Sequence, residues 1–334
     1  MPFDLAFIWA GLIAFAILAY VILDGFDLGV GILFPFMRGE AEKNLAMNTV
    51  APVWDGNETW LVLGGGGLFA VFPLAYAVVM PALYVPIIVM LLALVFRGVA
   101  FEFRWRTRRG KILWDLSFFV GSLTATFAQG VALGALVQGI AVDNRAYAGG
   151  NWDWLTPFSL LTGAALVVGY AALGAAWLIM KTEGPVHARA RALAPSLGLA
   201  MLVLVGLVSL ITPFLNPVYL ERWFSLPNVL FTVWVPAGVL IASYVFWRGL
   251  TEGRDSWPFR ALLAVFVLSF IGLGISFYPY MVPPDLTIWD AAAPDESLWF
   301  LLVGALVLVP MILAYTAYAY WVFRGKIDPE AGYH

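Results

Sequence analysis

The chain has 334 residues, of which 62% are hydrophobic and only 12% are charged, about half the charged share of a soluble domain. A net charge of −3 leaves no basic footprint for nucleic acid. The absence of cysteine excludes a disulfide framework and thiolate ligation of a metal or cluster. What remains is a membrane protein, with lipid as the solvent for its apolar surface.

In chain order, windows of about 20 apolar residues predict spans near 7–34, 59–79, 82–101, 116–140, 156–180, 193–215, 228–247, 260–280 and 298–323. The first charge is the acidic Asp4, and the apolar run from Leu5 to Leu23 continues into Asp24. It therefore reads as a first transmembrane helix and not as a cleaved signal. The second and third spans meet at Pro81, where a tight hairpin is expected. The loops, the longest near 141–155 and 281–297, are too short to fold alone, so a single membrane domain over 1–334 is expected.

Orientation follows from the lysines and arginines. Loops after odd-numbered spans carry Arg38 and Lys43, then Arg104, Arg106, Arg108, Arg109 and Lys111, then Lys181, Arg189 and Arg191, then Arg248 and Arg254, and finally Arg324 and Lys326. The opposite loops carry only Arg145 and Arg222 and are otherwise acidic. The N-terminus is thus expected on the periplasmic side of a bacterial inner membrane, and the C-terminus in the cytoplasm.

Ionisable groups at membrane depth are costly and are functional candidates. Asp24 and Asp27 are three apart on one face of the first helix, and Asp55 and Glu58 are three apart at the start of the second. Arg97 and Glu102 close the third, and Asp115 opens the fourth. All fall on the expected cytoplasmic side, as a proton-uptake path requires. Asp24, Asp55, Arg97 and Glu102 read as the deeper groups. Asp27, Glu58 and Asp115 lie nearer helix ends, where they could equally cap a helix or pair with Arg97, Arg104 or Lys111. The run Gly64–Gly67 and the pairs Gly25/Gly29 and Gly130/Gly134 predict close helix contacts.

Histidine is the usual ligand of a membrane b haem. The two histidines here, His187 and His334, lie outside the predicted spans. The chain itself is expected to ligate no haem and no metal.

Several stretches carry a resemblance. Leu23-Asp-Gly-Phe-Asp-Leu-Gly-Val-Gly31, Asn48-Thr-Val-Ala-Pro-Val-Trp-Asp-Gly-Asn57, Phe96-Arg-Gly-Val-Ala-Phe-Glu-Phe-Arg104 with Trp114-Asp115, and Tyr278-Pro-Tyr-Met-Val-Pro283 with Leu286-Thr-Ile-Trp-Asp290 run in order along almost the whole chain. Together they resemble the second subunit of cytochrome bd-type quinol oxidases, and Leu33-Phe-Pro-Phe36 is similar to the cyanide-insensitive branch.

The resemblance implies an all-α fold of nine transmembrane helices. They form two four-helix bundles (1–140 and 156–280) and one final helix (298–323). It implies a haem-bearing subunit I as partner, with two b haems and haem d, and it admits a small single-helix subunit and a structural quinone. The complex would oxidise quinol and reduce O2 to water in the respiratory chain, building a proton motive force without pumping. Trp54 and Asp55 match the family's proposed proton path, and Glu102 matches an acid at the end of its third helix. On this reading Asp55 and Glu102 relay protons, Asp24, Asp27 and Glu58 support them, and Arg97 is their electrostatic partner. The competing reading is a proton-coupled secondary transporter, which tends to place its charges and broken helices near the midplane in matching halves.

Overall fold

The computed structural model describes residues 4–328; His334 lies outside the described residues. Nearly all of the chain is helix. It opens with α1 (Leu5–Leu33), which begins where the Asp4 side chain accepts a hydrogen bond from the Phe7 amide. A short 3-10 turn and α2 (Gly39–Asn48) lead into α3 (Trp54–Val71) and α4 (Pro73–Ala82). The chain continues through α5 (Tyr84–Arg106) and α6 (Lys111–Gln138). Between them Gly110, at φ +84°, takes the left-handed conformation of the tight turn. A two-residue hairpin, β1 (Val142–Asp143) with β2 (Ala146–Tyr147), precedes α7 (Pro157–Lys181). Thr156 and Ser159 cap α7 reciprocally.

The remainder is α8 (Gly184–Ile211), α9 (Pro217–Phe224), α10 (Asn228–Thr232), α11 (Trp234–Glu252) and α12 (Ser256–Phe277). Then come the hairpin β3 (Tyr280–Val282) and β4 (Leu286–Thr287), α13 (Ile288–Ala291) and α14 (Asp295–Val322). Among the described residues eight helices are individually long and apolar enough to cross a membrane. A ninth span is counted only if α3 and α4 are taken together.

That pair corrects the expected second span. The region 59–79 is not one helix, because it breaks at Phe72 and turns by 120°. Pro73 has no amide to donate, and it disfavours helical dihedrals at the residue before it. Phe72 accordingly leaves the helix at φ −125°, ψ 61°. The expected hairpin at Pro81 is also absent: Pro81 lies inside α4, and the chain reverses through the whole of that short helix. Val71 and Phe72 join α4, α13 and the β3–β4 hairpin in an apolar core at this end of the molecule.

The main core lies at the other end, where α1 and α7 cross. From Asp24 to Phe34 every residue of the chain is buried, and so is every residue from Gly169 to Ile179. The crossing depends on glycine. A Cβ on Gly29 would fall on the Tyr170 carbonyl oxygen and 2.8 Å from the Gly174 nitrogen. Gly130 meets Gly163, and Gly134 meets Ser159 and Thr162, at the α6–α7 contact. The Gly25/Gly29 and Gly130/Gly134 spacings thus mark real helix contacts, whereas Gly65 and Gly66 face open space. Around this crossing α5 packs on α6, α3 on α1, α8 on α7, and α12 on α7 and α11. The last helix, α14, is the least enclosed, with 6% of its most apolar window buried.

The short helix α2 ties the two halves together outside the spans. Glu42 pairs with Arg189 of α8 at 3.1 Å, Glu40 with Lys111 of α6 at 2.8 Å, and Lys43 with Asp115 at 2.7 Å. The Arg189 hydrogen bonds hold the Glu42 carboxyl below the ordinary glutamate range, and the Lys111 bond does the same for Glu40.

Two outcomes follow from this packing. Gly29→Leu forces α1 and α7 apart, at a cost of about 1–3 kcal/mol or more for an overpacked contact, and the purified complex unfolds at lower temperature in a melting assay. For α2 the carboxyls' affinity for protons is lower folded than unfolded, so their contribution is complete above the unfolded value. It is lost as pH falls through the lowered folded one. Amide exchange in residues 39–48 therefore matches between wild type and Glu42→Gln below the carboxylate range, and is slower in wild type at neutral pH.

Candidate functional site

Three helices bring one guanidinium and three carboxyls together in the main core. Arg97, from α5, has no exposed side-chain surface. Its Nη2 lies 2.8 Å from Asp24 and 3.9 Å from Asp27, and its Nη1 lies 3.4 Å from Glu58. The two aspartates share this partner because residues three apart stand one turn above another on α1. Glu58, one turn into α3, is the half-open member, with 26% of its side chain exposed. Arg97 also lies over the Phe101 ring, 5.8 Å from its centroid.

Small residues admit this geometry. A Cβ on Gly121 of α6 would meet the Ala93 carbonyl at 2.7 Å and the Arg97 nitrogen at 3.0 Å, so α6 lies against the turn that carries the arginine. A Cβ on Gly25 would strike the Tyr170 ring at 2.7 Å. That glycine lets Tyr170 approach α1, where its hydroxyl accepts a 3.1 Å hydrogen bond from Gln129.

Neutral polar groups complete the cluster. Asn57 Nδ2 donates to Asp27 at 2.7 Å and to the Leu23 carbonyl at 3.2 Å. Tyr320, from the far end of the chain, donates to Asn57 Oδ1 at 2.9 Å. Tyr20 is buried one turn before Asp24. Asn57 stands at the end of a motif picked out in the sequence, but without charge it gave no electrostatic signal. Nothing local marks Tyr320, which comes from a helix 263 residues away in sequence.

The other predicted residues fall elsewhere. Asp55 and Glu102 are exposed and are not brought into the Arg97 cluster. Glu102 lies 3.9 Å from Arg106, itself exposed. The reason is helical phase: five residues from Arg97, Glu102 points to a different face of α5. Trp54 is half-buried and stacks on Phe101, with centroids 4.8 Å apart and planes 5° from parallel. It thus covers the ring beneath the guanidinium. Asp115 belongs to a second cluster with buried Arg104, which it meets at 2.6 Å. Arg104 also donates to Asn44 at 2.6 Å and lies between Phe34 and Trp105. This is a clasp of α2 onto α5 and α6.

The described residues contain no group of three or more His, Cys, Asp or Glu side chains able to hold a metal ion. His187, expected outside the spans, lies in the first turn of α8 and is engaged there by Asp255 at 3.1 Å. What the Arg97 cluster offers is proton-binding oxygen atoms around a fixed positive charge, a form suited to holding and passing protons.

A buried ion pair need not stabilise relative to apolar side chains, but removing one partner typically costs about 3–5 kcal/mol. Arg97→Met leaves three carboxyls without their cation and lowers the yield and melting temperature of the assembled complex. Arg97→Lys keeps the charge and recovers part of both.

The comparisons with known proteins agree along the whole chain. The model of the family described as cytochrome bd terminal oxidase subunit II matches residues 5–323. The chain is 34% identical to cytochrome bd-I ubiquinol oxidase subunit 2 of Escherichia coli K12, over 98% of this chain and 96% of that protein. It is 30% identical to cytochrome bd ubiquinol oxidase subunit 2 of Bacillus subtilis, over 96% of each. The fold is similar to a chain in the structure of the bd oxidase from Geobacillus thermodenitrificans, with a TM-score of 0.77 and 20% identity over 96% of this chain and 98% of that one. The chain therefore belongs to the cytochrome bd terminal oxidase subunit II family, as a multi-pass inner-membrane subunit of a quinol oxidase complex that works beside a subunit I.

Proposed function

We propose that this chain is the haem-free half of the oxidase: it supports the haem-bearing subunit I and supplies it with protons from the cytoplasm. The complex oxidises quinol and reduces O2 to water, and the haems, two of b type and one of d type, belong to the partner. The donor set supports that division. Haem iron in membranes is commonly held by histidine, sometimes with methionine, and the one histidine among the described residues, His187, is held by Asp255 outside the main core. The reading takes 1–140 and 156–280 as two four-helix units and 298–323 as a separate final helix, within one membrane domain.

The carrying observation is the buried cluster of Asp24, Asp27 and Glu58 about Arg97. One fixed positive charge balances one carboxylate, so three carboxyls give the cluster room to gain and lose protons. The lysine and arginine bias of the loops puts the C-terminus in the cytoplasm and this cluster in the cytoplasmic half of the membrane. Asp55 and Glu102, at the exposed ends of α3 and α5, collect protons. Glu58, one turn above Asp55 on α3, passes them toward Asp24 and Asp27, and Trp54 shields the arginine's side of the path. Water formation consumes the delivered protons, so electron flow and charge separation become coupled without a pump.

The reading is tested in the purified two-subunit complex. Asp55→Asn and Asp27→Asn each lower quinol-driven oxygen consumption about a hundred-fold, the lower end of what a positioned proton-transfer group contributes, while the reduced-minus-oxidised haem spectrum is unchanged. Wild-type turnover in Asp55→Asn removes that residue from the path. Wild-type turnover in Asp27→Asn removes the buried cluster.

A further inference from the structure

The buried cluster has a second connection to the surface, through a lining that includes neither Asp55 nor Glu102. A cavity of about 200 Å³ opens between the α2–α3 link, the end of α7, the end of α14 and the segment that follows it. Thr49, Val53, Trp177, Lys181 and Lys326 line it together with Tyr320. Tyr320 bonds to Asn57 at 2.9 Å, and Asn57 bonds to Asp27 at 2.7 Å. Two hydrogen bonds therefore separate the cavity lining from a carboxyl of the Arg97 cluster.

The cavity is a built feature, because its walls are fixed. Lys181 Nζ donates to the carbonyls of Phe323 and Gly325, the second at 3.1 Å, and the Ile327 amide donates to the Lys181 carbonyl at 2.9 Å. Lys326 is held by Asp255 at 2.7 Å and lies 3.6 Å from Glu183. Lysine at the end of α14 also suits the exposed carbonyls there. These bonds lock the end of a helix that has few other anchors, and so hold Tyr320 in place.

We infer that this cavity is a cytoplasmic proton entrance to the buried cluster, with the Tyr320 hydroxyl as its inner gate and Asn57 as the positioning residue behind it. The inference rests on the proton-path reading of that cluster. A tyrosine hydroxyl both accepts and donates, so it can take a proton from water in the cavity while releasing its own inward. An O–H bond of the incoming hydronium breaks as one forms at the Tyr320 oxygen. The hydroxyl turns from Asn57 Oδ1 and gives its own proton to a water beside the amide. That water gives one to Asp27 Oδ1, which no protein donor occupies, so tyrosine, water and the neutral Asn57 amide are all regenerated. Asn57 holds hydroxyl and carboxyl on either side of one amide. The charged groups around this route are Asp24 and Asp27 from α1, Glu58 from α3, Arg97 from α5, Lys181 from α7, and Arg324 and Lys326 beyond α14, with Glu183 and Asp255 beside Lys326.

The test uses the two-subunit complex and two independent variants. Tyr320→Phe keeps the ring and removes the hydroxyl. The maximal rate of oxygen consumption falls several-fold with the quinol KM and haem spectrum unchanged, and the deuterium solvent isotope effect grows as proton delivery becomes limiting. Pro52→Cys places a thiol at the exposed rim of the cavity in a chain that has no cysteine of its own. Labelling it with a bulky, charged thiol reagent lowers the rate several-fold, while the parent complex given the same reagent keeps its rate. The entrance is overturned if either Tyr320→Phe or the labelled Pro52→Cys complex turns over like its control while Asp27→Asn is slow. If Asp27→Asn is itself at the wild-type rate, the underlying path fails and the entrance fails with it.

Discussion

The structure depends on one requirement: Arg97 cannot stand alone. A guanidinium stays charged under any condition in which the protein is folded, and this one is fully enclosed by helices. Its counter-charges come from α1 and α3, so these two helices must meet α5 at the same depth. The small residues follow from the same requirement. Gly121 lets α6 lie on the turn that bears the arginine, and Gly25 lets Tyr170 of α7 reach the turn that bears Asp24. The ionic site and the helix packing are therefore one arrangement. A change that separates the helices exposes charge to a medium that solvates it poorly, and a change in charge removes the reason for the helices to meet.

The spans were legible because a membrane imposes a length on any helix that crosses it. Composition read in windows of that length recovers the helices even where their ends are soft. Direction is another matter. The break at Phe72 falls within uninterrupted apolar sequence from Leu68 to Tyr76, so hydropathy runs straight through it while the backbone turns by 120°. Pro73 is the local sign of that break. Proline at the first turn of a helix starts it cleanly, and Pro73 begins α4 whereas Pro81 sits near its end.

The site was legible to the extent that it is charged and local. Asp24 and Asp27 share a face by spacing alone, and the structure turns that face toward Arg97. Glu102 sits in apolar sequence, but helical phase turns it to an exposed face of α5, and Asp55 at the start of α3 is exposed as well. Asp27 lies deeper than a helix-end position, because α1 continues to Leu33 and its last turns are wholly buried. Asn57 and Tyr320 lay beyond reach for a different reason. Neither costs much to carry in a membrane helix, so neither stands out by composition, and their contact is a product of tertiary structure.

The contrast between α14 and the rest sharpens the role of that contact. A helix with so little enclosed surface gains little from packing, and association in lipid has no hydrophobic drive to replace it. Its position is set instead by polar fastenings: the Leu298 carbonyl accepts from Trp9 at one end, Tyr320 donates to Asn57 within the core, and Lys181 binds the carbonyls beyond the other end. Fastenings at the two ends alone would locate the helix. Tyr320 lies in the last turn of α14, three residues before the Phe323 carbonyl that Lys181 already holds, so its bond adds little to that task, and through Asn57 it links the helix to Asp27. On the proposed proton path, a hydroxyl in that position, between the cavity and a buried acid, serves proton traffic more than adhesion.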